Sequence, residues 1–332
     1  MTVFQPYANA LSPGRRYSRA MNANRAPGSG RQMPDGPRPA RIVDAHHHVW
    51  RQADLAWLQG PMQPRIFGPY EAIRRDYPIE EYLADIVPIG VEKSIYVQTN
   101  WPPGGELEEA AWVQQVADRH GFPHAFVGYA DLQSETLAAT LDAMGRHRGL
   151  RGIRQQLHWH DNGAYRFARQ PALMNEASWS RGLRAVADRG LLFELQVFAS
   201  QMADAARLAG AFGDLTFVLL HAGMLEDRSD HGWAAWREGM RRLADCPNVV
   251  VKLSGLGTFI HRCDAEAWAP VIRETVAMFG AGRCLFGSNF PIEKLWTGYG
   301  SIVDAVAGAL DDCTAEQRDA IFFGNAVRVY RL

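Results

Sequence analysis

From residue 41 onward the chain repeats one pattern: a short apolar run that ends in polar residues, then a stretch with apolar positions every three or four residues. Alternation with period two marks a strand, and a period of about 3.6 marks a helix. The runs predict strands over 42–50, 93–100, 125–132, 152–160, 191–198, 216–224, 249–257 and 284–290. Helical patterns lie between them at 107–120, 137–146, 173–189, 202–212, 233–245 and 268–279, and a last pair covers 302–310 and 315–329. Strands that alternate with helices pair in parallel, because each crossover needs the length of a helix to return. Such a series predicts an α/β fold, a single closed (β/α)8 TIM barrel over residues 41–332. An open doubly wound sheet is the alternative, but no GxGxxG follows the first strand, so its dinucleotide-binding version loses support.

Residues 1–40 break the pattern. They carry Arg15, Arg16, Arg19, Arg25, Arg31 and Arg38 against the single acid Asp35, and are rich in Pro, Gly, Ser and Asn without hydrophobic periodicity. This composition cannot build a core and reads as a flexible N-terminal arm. Arg15-Arg16 resembles the start of a twin-arginine signal, but no apolar region of the secretory type follows it, so retention in the cytoplasm is the expectation. The arm could also wrap a neighbouring subunit of a homo-oligomer.

Composition narrows the partners. Apolar residues make up 47 % of the 332, enough for a large core, and the net charge of -1 argues against a polyanion held by bulk charge. No apolar stretch approaches a membrane span. A small molecule, rather than nucleic acid or a membrane, is the predicted partner. Cys246, Cys263, Cys284 and Cys313 form no CxxC pair and read as reduced thiols. Lysine occurs only as Lys93, Lys252 and Lys294.

In such a barrel the chemistry gathers at the C-terminal ends of the strands. Strand one reads Ile42-Val43-Asp44-Ala45-His46-His47-His48, and strict alternation puts Asp44, His46 and His48 on one face with His47 opposite. Two imidazoles so spaced can grip one metal ion or one anionic oxygen. Strand six delivers His221 after four apolar residues, and Gly223 then permits a sharp turn. Parity adds Gln98 at the end of strand two, Arg154, Gln156 and His158 on strand four, Glu194 and Gln196 on strand five, and Lys252 and Ser254 on strand seven. Buried cations need anionic partners, so Gln98, Arg154 and Lys252 are candidates to hold substrate oxygens, and Glu194 could neutralise one of the cations. Trp50, Trp57, Trp101, Trp159 and Trp296 lie at or beyond strand ends, where they could face a cyclic ligand or merely anchor loops.

The Asp-x-His-x-His start, the His that ends strand six and the Gly287-Ser288-Asn289-Phe290-Pro291 run that ends strand eight resemble the amidohydrolase superfamily. Gly152-Ile153-Arg154-Gln155-Gln156-Leu157-His158, Lys252-Leu253-Ser254-Gly255-Leu256 and Glu109-Ala110-Ala111-Trp112-Val113 look like its lactonase branch, which includes pyrone-dicarboxylate and sugar-lactone lactonases. The resemblance covers residues 41 to 332. It implies a hydrolase that opens a lactone bearing a carboxylate or several hydroxyls by attack of water on the carbonyl. A decarboxylase of the same superfamily and a non-catalytic ligand-binding barrel are the alternatives. His46, His48 and His221 would stabilise the oxyanion, either directly or through one divalent ion, zinc or manganese; no lysine ends strand four, so a carbamylated bridge between two metals is not expected. The superfamily carries an aspartate where this chain has Asn289. An amide can position water but cannot accept its proton near neutral pH, which leaves Glu109, His158 and Glu293 as substitute bases.

Overall fold

The computed structural model describes residues 38–332. The arm expected over 1–40 therefore lies outside the described residues except for its end, where Arg38 pairs with Asp304 at 2.7 Å. Eight parallel strands follow in the order of the chain: β1 (Ile42–His47), β2 (Val91–Val97), β3 (Ala125–Gly128), β4 (Leu150–Ile153), β5 (Leu192–Leu195), β6 (Phe217–Leu219), β7 (Val249–Leu253) and β8 (Cys284–Phe286). The ends meet through a parallel bridge between His47 and Phe290, with Asn289 N donating to His46 O at 2.7 Å and His48 N to Phe290 O at 2.7 Å. The barrel is the expected one. Its strands stop several residues before the predicted ends, because the polar residues there leave the ladder to form the mouth.

The helices between the strands are α1 (Ile79–Ile86), α2 (Glu106–His120), α3 (Leu137–Met144), α4 (Ala177–Ala187), α5 (Met202–Ala211), α6 (Asp230–Ala244), α7 (Ala265–Phe279) and α8 (Tyr299–Ala309). A final helix runs from Ala315 through a π turn to Tyr330. Helix α1 had no counterpart in the sequence pattern; in so short an element only Ile79, Tyr82 and Ile86 are buried. One apolar layer fills the space between strands and helices. A second, inside the barrel, joins Val43, Ala45, Val97, Val127, Val218 and Leu285 to Ala326 and Tyr330 of the last helix, which closes the floor.

Strand β1 corrects one expectation. Between Asp44 and His47 it advances three residues while β2 advances two, from Ser94 to Tyr96. This bulge places an unpaired residue in the strand and reverses its alternation. Val43 and Ala45 point inward below it, and His46 and His48 point inward above it. Asp44 is therefore on the outer face and not beside the histidines. It accepts hydrogen bonds from Ser288 N (2.8 Å), Ser288 Oγ (2.6 Å), His46 N (3.1 Å), Tyr82 Oη (3.0 Å) and Tyr299 Oη (3.0 Å). One buried carboxylate thus ties β1 to the segment after β8 and to helices α1 and α8. His47 points outward as expected and stacks on Tyr82 at 3.9 Å.

Candidate active site

An open cavity of about 870 Å³ lies at the C-terminal ends of the strands. His48, His158, His221, Arg154, Gln98 and Asn289 all line it, together with Gln156 and Gln196. His46 sits one layer deeper, fully buried, with its ring centroid 5.1 Å from that of His48 and 4.8 Å from that of His221.

Backbone geometry aims these groups. After β6 the chain runs through four left-handed residues, His221 (φ 55°), Ala222 (47°), Gly223 (73°) and Met224 (51°). This sharp turn carries His221 over the barrel axis, and only a glycine is at ease there at 223, as the sequence suggested. Gly255 faces it: a Cβ at that position would stand 2.5 Å from His221 Nδ1. Asn289 is also left-handed (φ 57°), a conformation that Asn tolerates better than most residues.

The hydrogen bonds set the tautomers. His48 Nδ1 lies 2.6 Å from the carbonyl of Val97, which can only accept, so Nδ1 carries the proton and Nε2 offers a lone pair. Lys252 Nζ lies 3.5 Å from His46 Nδ1; the ammonium donates, so the proton of His46 sits on Nε2, a buried atom without a hydrogen-bond partner among the described residues. His221 Nδ1 lies 3.0 Å from Ser254 Oγ. All these rings are neutral near pH 7. Burial, then the nearby cations, hold His46 and His221 well below the ordinary histidine range. Burial and then Arg154 bring His48 and His158 down to about 3. Burial lowers Arg154 to about 10, which leaves it charged.

The sequence candidates Lys252, Glu194, Glu109 and Glu293 lie behind the cavity wall. Lys252 is fully buried beneath His46 and pairs with Glu194 at 2.5 Å, and Tyr330 donates to the same Glu194 oxygen at 2.6 Å. Glu194 thus neutralises Lys252, as its parity suggested. Glu109 accepts from Tyr96 Oη (2.7 Å), Thr99 N (2.6 Å) and Thr99 Oγ1 (3.0 Å), where it pins the loop after β2. Glu293 lies against Asn289, Thr258 and Trp296, and burial pushes its carboxyl up to about 8. Of the five tryptophans, Trp50 and Trp57 line the cavity. Strand parity missed Arg65, Phe67, Tyr165, Arg166 and Phe167, which line the mouth from two loops. The cluster of arginine and aromatic residues at 165–167 was the available signal.

A divalent ion does not fit this donor set well. Among the described residues no three His, Cys, Asp or Glu side chains form a group that could hold one. The nearest trio has a lysine ammonium at one ring, an amide at position 289 and no anionic ligand.

The amidohydrolase family model matches residues 43–332. The chain belongs to the amidohydrolase family. The uncharacterized protein y4mH of Sinorhizobium fredii is 36 % identical over 296 residues, covering 88 % of this chain and 98 % of that one. The L-fucono-1,5-lactonase of Burkholderia multivorans is 29 % identical over 303 residues, covering 87 % and 96 %. A crystal structure of an amidohydrolase from Burkholderia multivorans with bound zinc superimposes with a TM-score of 0.74 at 27 % identity, covering 88 % of this amidohydrolase and all of that chain. The resemblance to the lactonase branch read from the motifs is thus matched by a lactonase among the relatives. Among the described residues, no helix is long and apolar enough to cross a membrane, and the four cysteines are free thiols.

Proposed function

We propose that this amidohydrolase opens a lactone by adding water to its carbonyl. One observation carries the reading: neutral His48, His158 and His221, the cation Arg154 and the amide of Asn289 line a single cavity at the catalytic end of the barrel. The similarity to an L-fucono-1,5-lactonase supports the choice of a lactone over other acyl compounds.

Water bound between Asn289 and Nε2 of His48 attacks the carbonyl carbon. Its oxygen forms the new C–O bond, and its proton passes to His48. The carbonyl oxygen becomes an alkoxide held by Arg154 and His221, groups already oriented and poorly hydrated, which is where such stabilisation is largest. The ring C–O bond then breaks and the leaving oxygen takes the proton back from His48. Free His48 is a weak base, because burial and Arg154 oppose its protonation. The developing negative charge beside it reverses that opposition as the reaction proceeds. His46, buried below, keeps its proton on Nε2 and packs against the other two rings. Glu109 is off the wall, and Glu293 still holds its proton at neutral pH, so neither is the base here.

A pH-indicator screen of sugar lactones, muconolactones and carboxylated lactones tests the reading. Acid release with at least one lactone is expected. Turnover of an amide or release of carbon dioxide from an acid, with no lactone consumed, overturns it.

A further inference from the structure

The cavity wall is charged in one sense only. Arg65, Arg154 and Arg166 line it, and among the described residues no aspartate or glutamate does. None of the three arginines has a carboxylate partner among the described residues. Arg166 donates to the carbonyls of His160 and Asp161, and Arg154 to that of Gln98. The Nε atoms of Arg65 and Arg154 are buried and have no hydrogen-bond partner among the described residues, and Arg154 is only 4 % exposed. Aromatic rings fix the two guanidinium groups at the mouth: Arg65 stacks over Trp57 at 5.1 Å and Arg166 over Trp159 at 4.8 Å.

Arg154 is buried, Arg65 half-buried and Arg166 exposed, so the cost of standing without an anion falls on Arg154 and in part on Arg65. A buried guanidinium loses hydration that only a charged partner restores in full. The acids nearby do not supply it. Glu194 is spent on Lys252, Glu109 is turned to Tyr96 and Thr99, and Glu293 is neutral below about pH 8. Lactone hydrolysis itself develops one negative charge, for which Arg154 suffices. Two further arginines on the same wall exceed what a neutral ring would need.

We propose that the substrate is an anionic lactone, carrying a carboxylate away from the reacting carbonyl, and that Arg65 holds that carboxylate with Arg166 at the rim. The planar fork of a guanidinium matches a carboxylate in two parallel hydrogen bonds, and the stacked tryptophan holds the fork ready. The proposal rests on the lactonase reading for the ring and on the wall's charge for the carboxylate, and the two can be separated.

The probes are 5-oxotetrahydrofuran-2-carboxylate and its carboxamide, which differ in charge and hardly in shape. The full-length enzyme is expected to prefer the carboxylate by about ten-fold or more in kcat/KM or, if neither ring opens, in calorimetric affinity. The preference should shrink as salt is raised. Arg65→Gln should raise KM for the carboxylate by about ten-fold and erase most of the preference, while Arg65→Lys restores part of it. Equal turnover of the pair leaves lactone hydrolysis standing and overturns the anion site. Selective binding of the carboxylate without ring opening keeps the anion site and overturns the lactonase reading. Binding of neither compound, or a preference unchanged in Arg65→Gln, overturns the proposal.

Discussion

The ammonium of Lys252 stands 3.5 Å below Nδ1 of His46 and fixes on which nitrogen that ring keeps its proton. Lys252→Met retains the length of the side chain but leaves Glu194 as an uncompensated buried charge. Breaking such a pair costs about 3–5 kcal/mol, so denaturant unfolding should show a loss of that order. Adding Glu194→Gln should recover much of the stability. Activity should stay low in the double variant, by roughly ten-fold or more, because His46 has lost its fixed donor. Full activity in a stable double variant would show that the ammonium serves folding alone.

Asp44 accepts five hydrogen bonds at the seam between the first and last strands. Asp44→Ala strands two tyrosine hydroxyls and the Ser288 groups in a dry interior. Each buried group left unpaired costs about 1–3 kcal/mol, and relaxation shares part of the load. A loss of several kcal/mol in chemical denaturation is expected, with a smaller one for Asp44→Asn. A neutral Asp44→Ala would mean that Ser288 and the tyrosines find other partners.

Glu293 titrates at about 8, against an unperturbed 4.5. The folded state therefore keeps a proton that the unfolded state releases first. Its contribution to stability is fully present below pH 4.5 and is lost as the pH rises through 8. The loss is at most about 5 kcal/mol. Melting temperatures measured across that window should fall less steeply in Glu293→Gln than in the wild type. Parallel curves would show that the carboxyl is not proton-bound in the native state.

Asn289 decides between direct and metal-assisted chemistry. Asn289→Asp adds a negative charge near His48 and raises its pKa, since an opposite charge favours the protonated ring. If the imidazoles act directly, kcat/KM near pH 7 should fall by about ten-fold or more, recover at higher pH, and ignore a chelator in both forms. Wild-type activity abolished by chelation and restored by zinc would reverse this reading. In that case the new carboxylate should strengthen metal binding.

How much of this was legible in the sequence differs by residue. His48, Arg154, Gln98 and His158 were found by strand parity and His221 by the apolar run before it, and all five line one cavity: the bulge in β1 turns Asp44 outward but leaves His46 and His48 on a shared face. Asp44 was misplaced because a bulge is one extra residue, and no composition signal marks where a strand inserts it. Lys252 was read as a buried cation that could hold substrate oxygens and Glu109 as a substitute base, and both lie behind the wall. Parity gives the face of a strand and not the height at which a long side chain ends, and Glu109 stands on a helix, where strand parity says nothing. Arg65 and Arg166 were missed because they sit on loops, which have no period to follow.

The floor of the barrel carries a consequence for synthesis. Tyr330 donates to Glu194, and Glu194 pairs with the lysine under His46. A growing polypeptide cannot complete this relay until translation has passed residue 330, long after the strands bearing the histidines have left the ribosome. Until then Glu194 lacks its hydroxyl donor, and the lower end of the strand ring lacks the helix that stoppers it. Assembly of the catalytic layer is thus tied to the last helix, which makes the active enzyme a late product of folding rather than a gradual one.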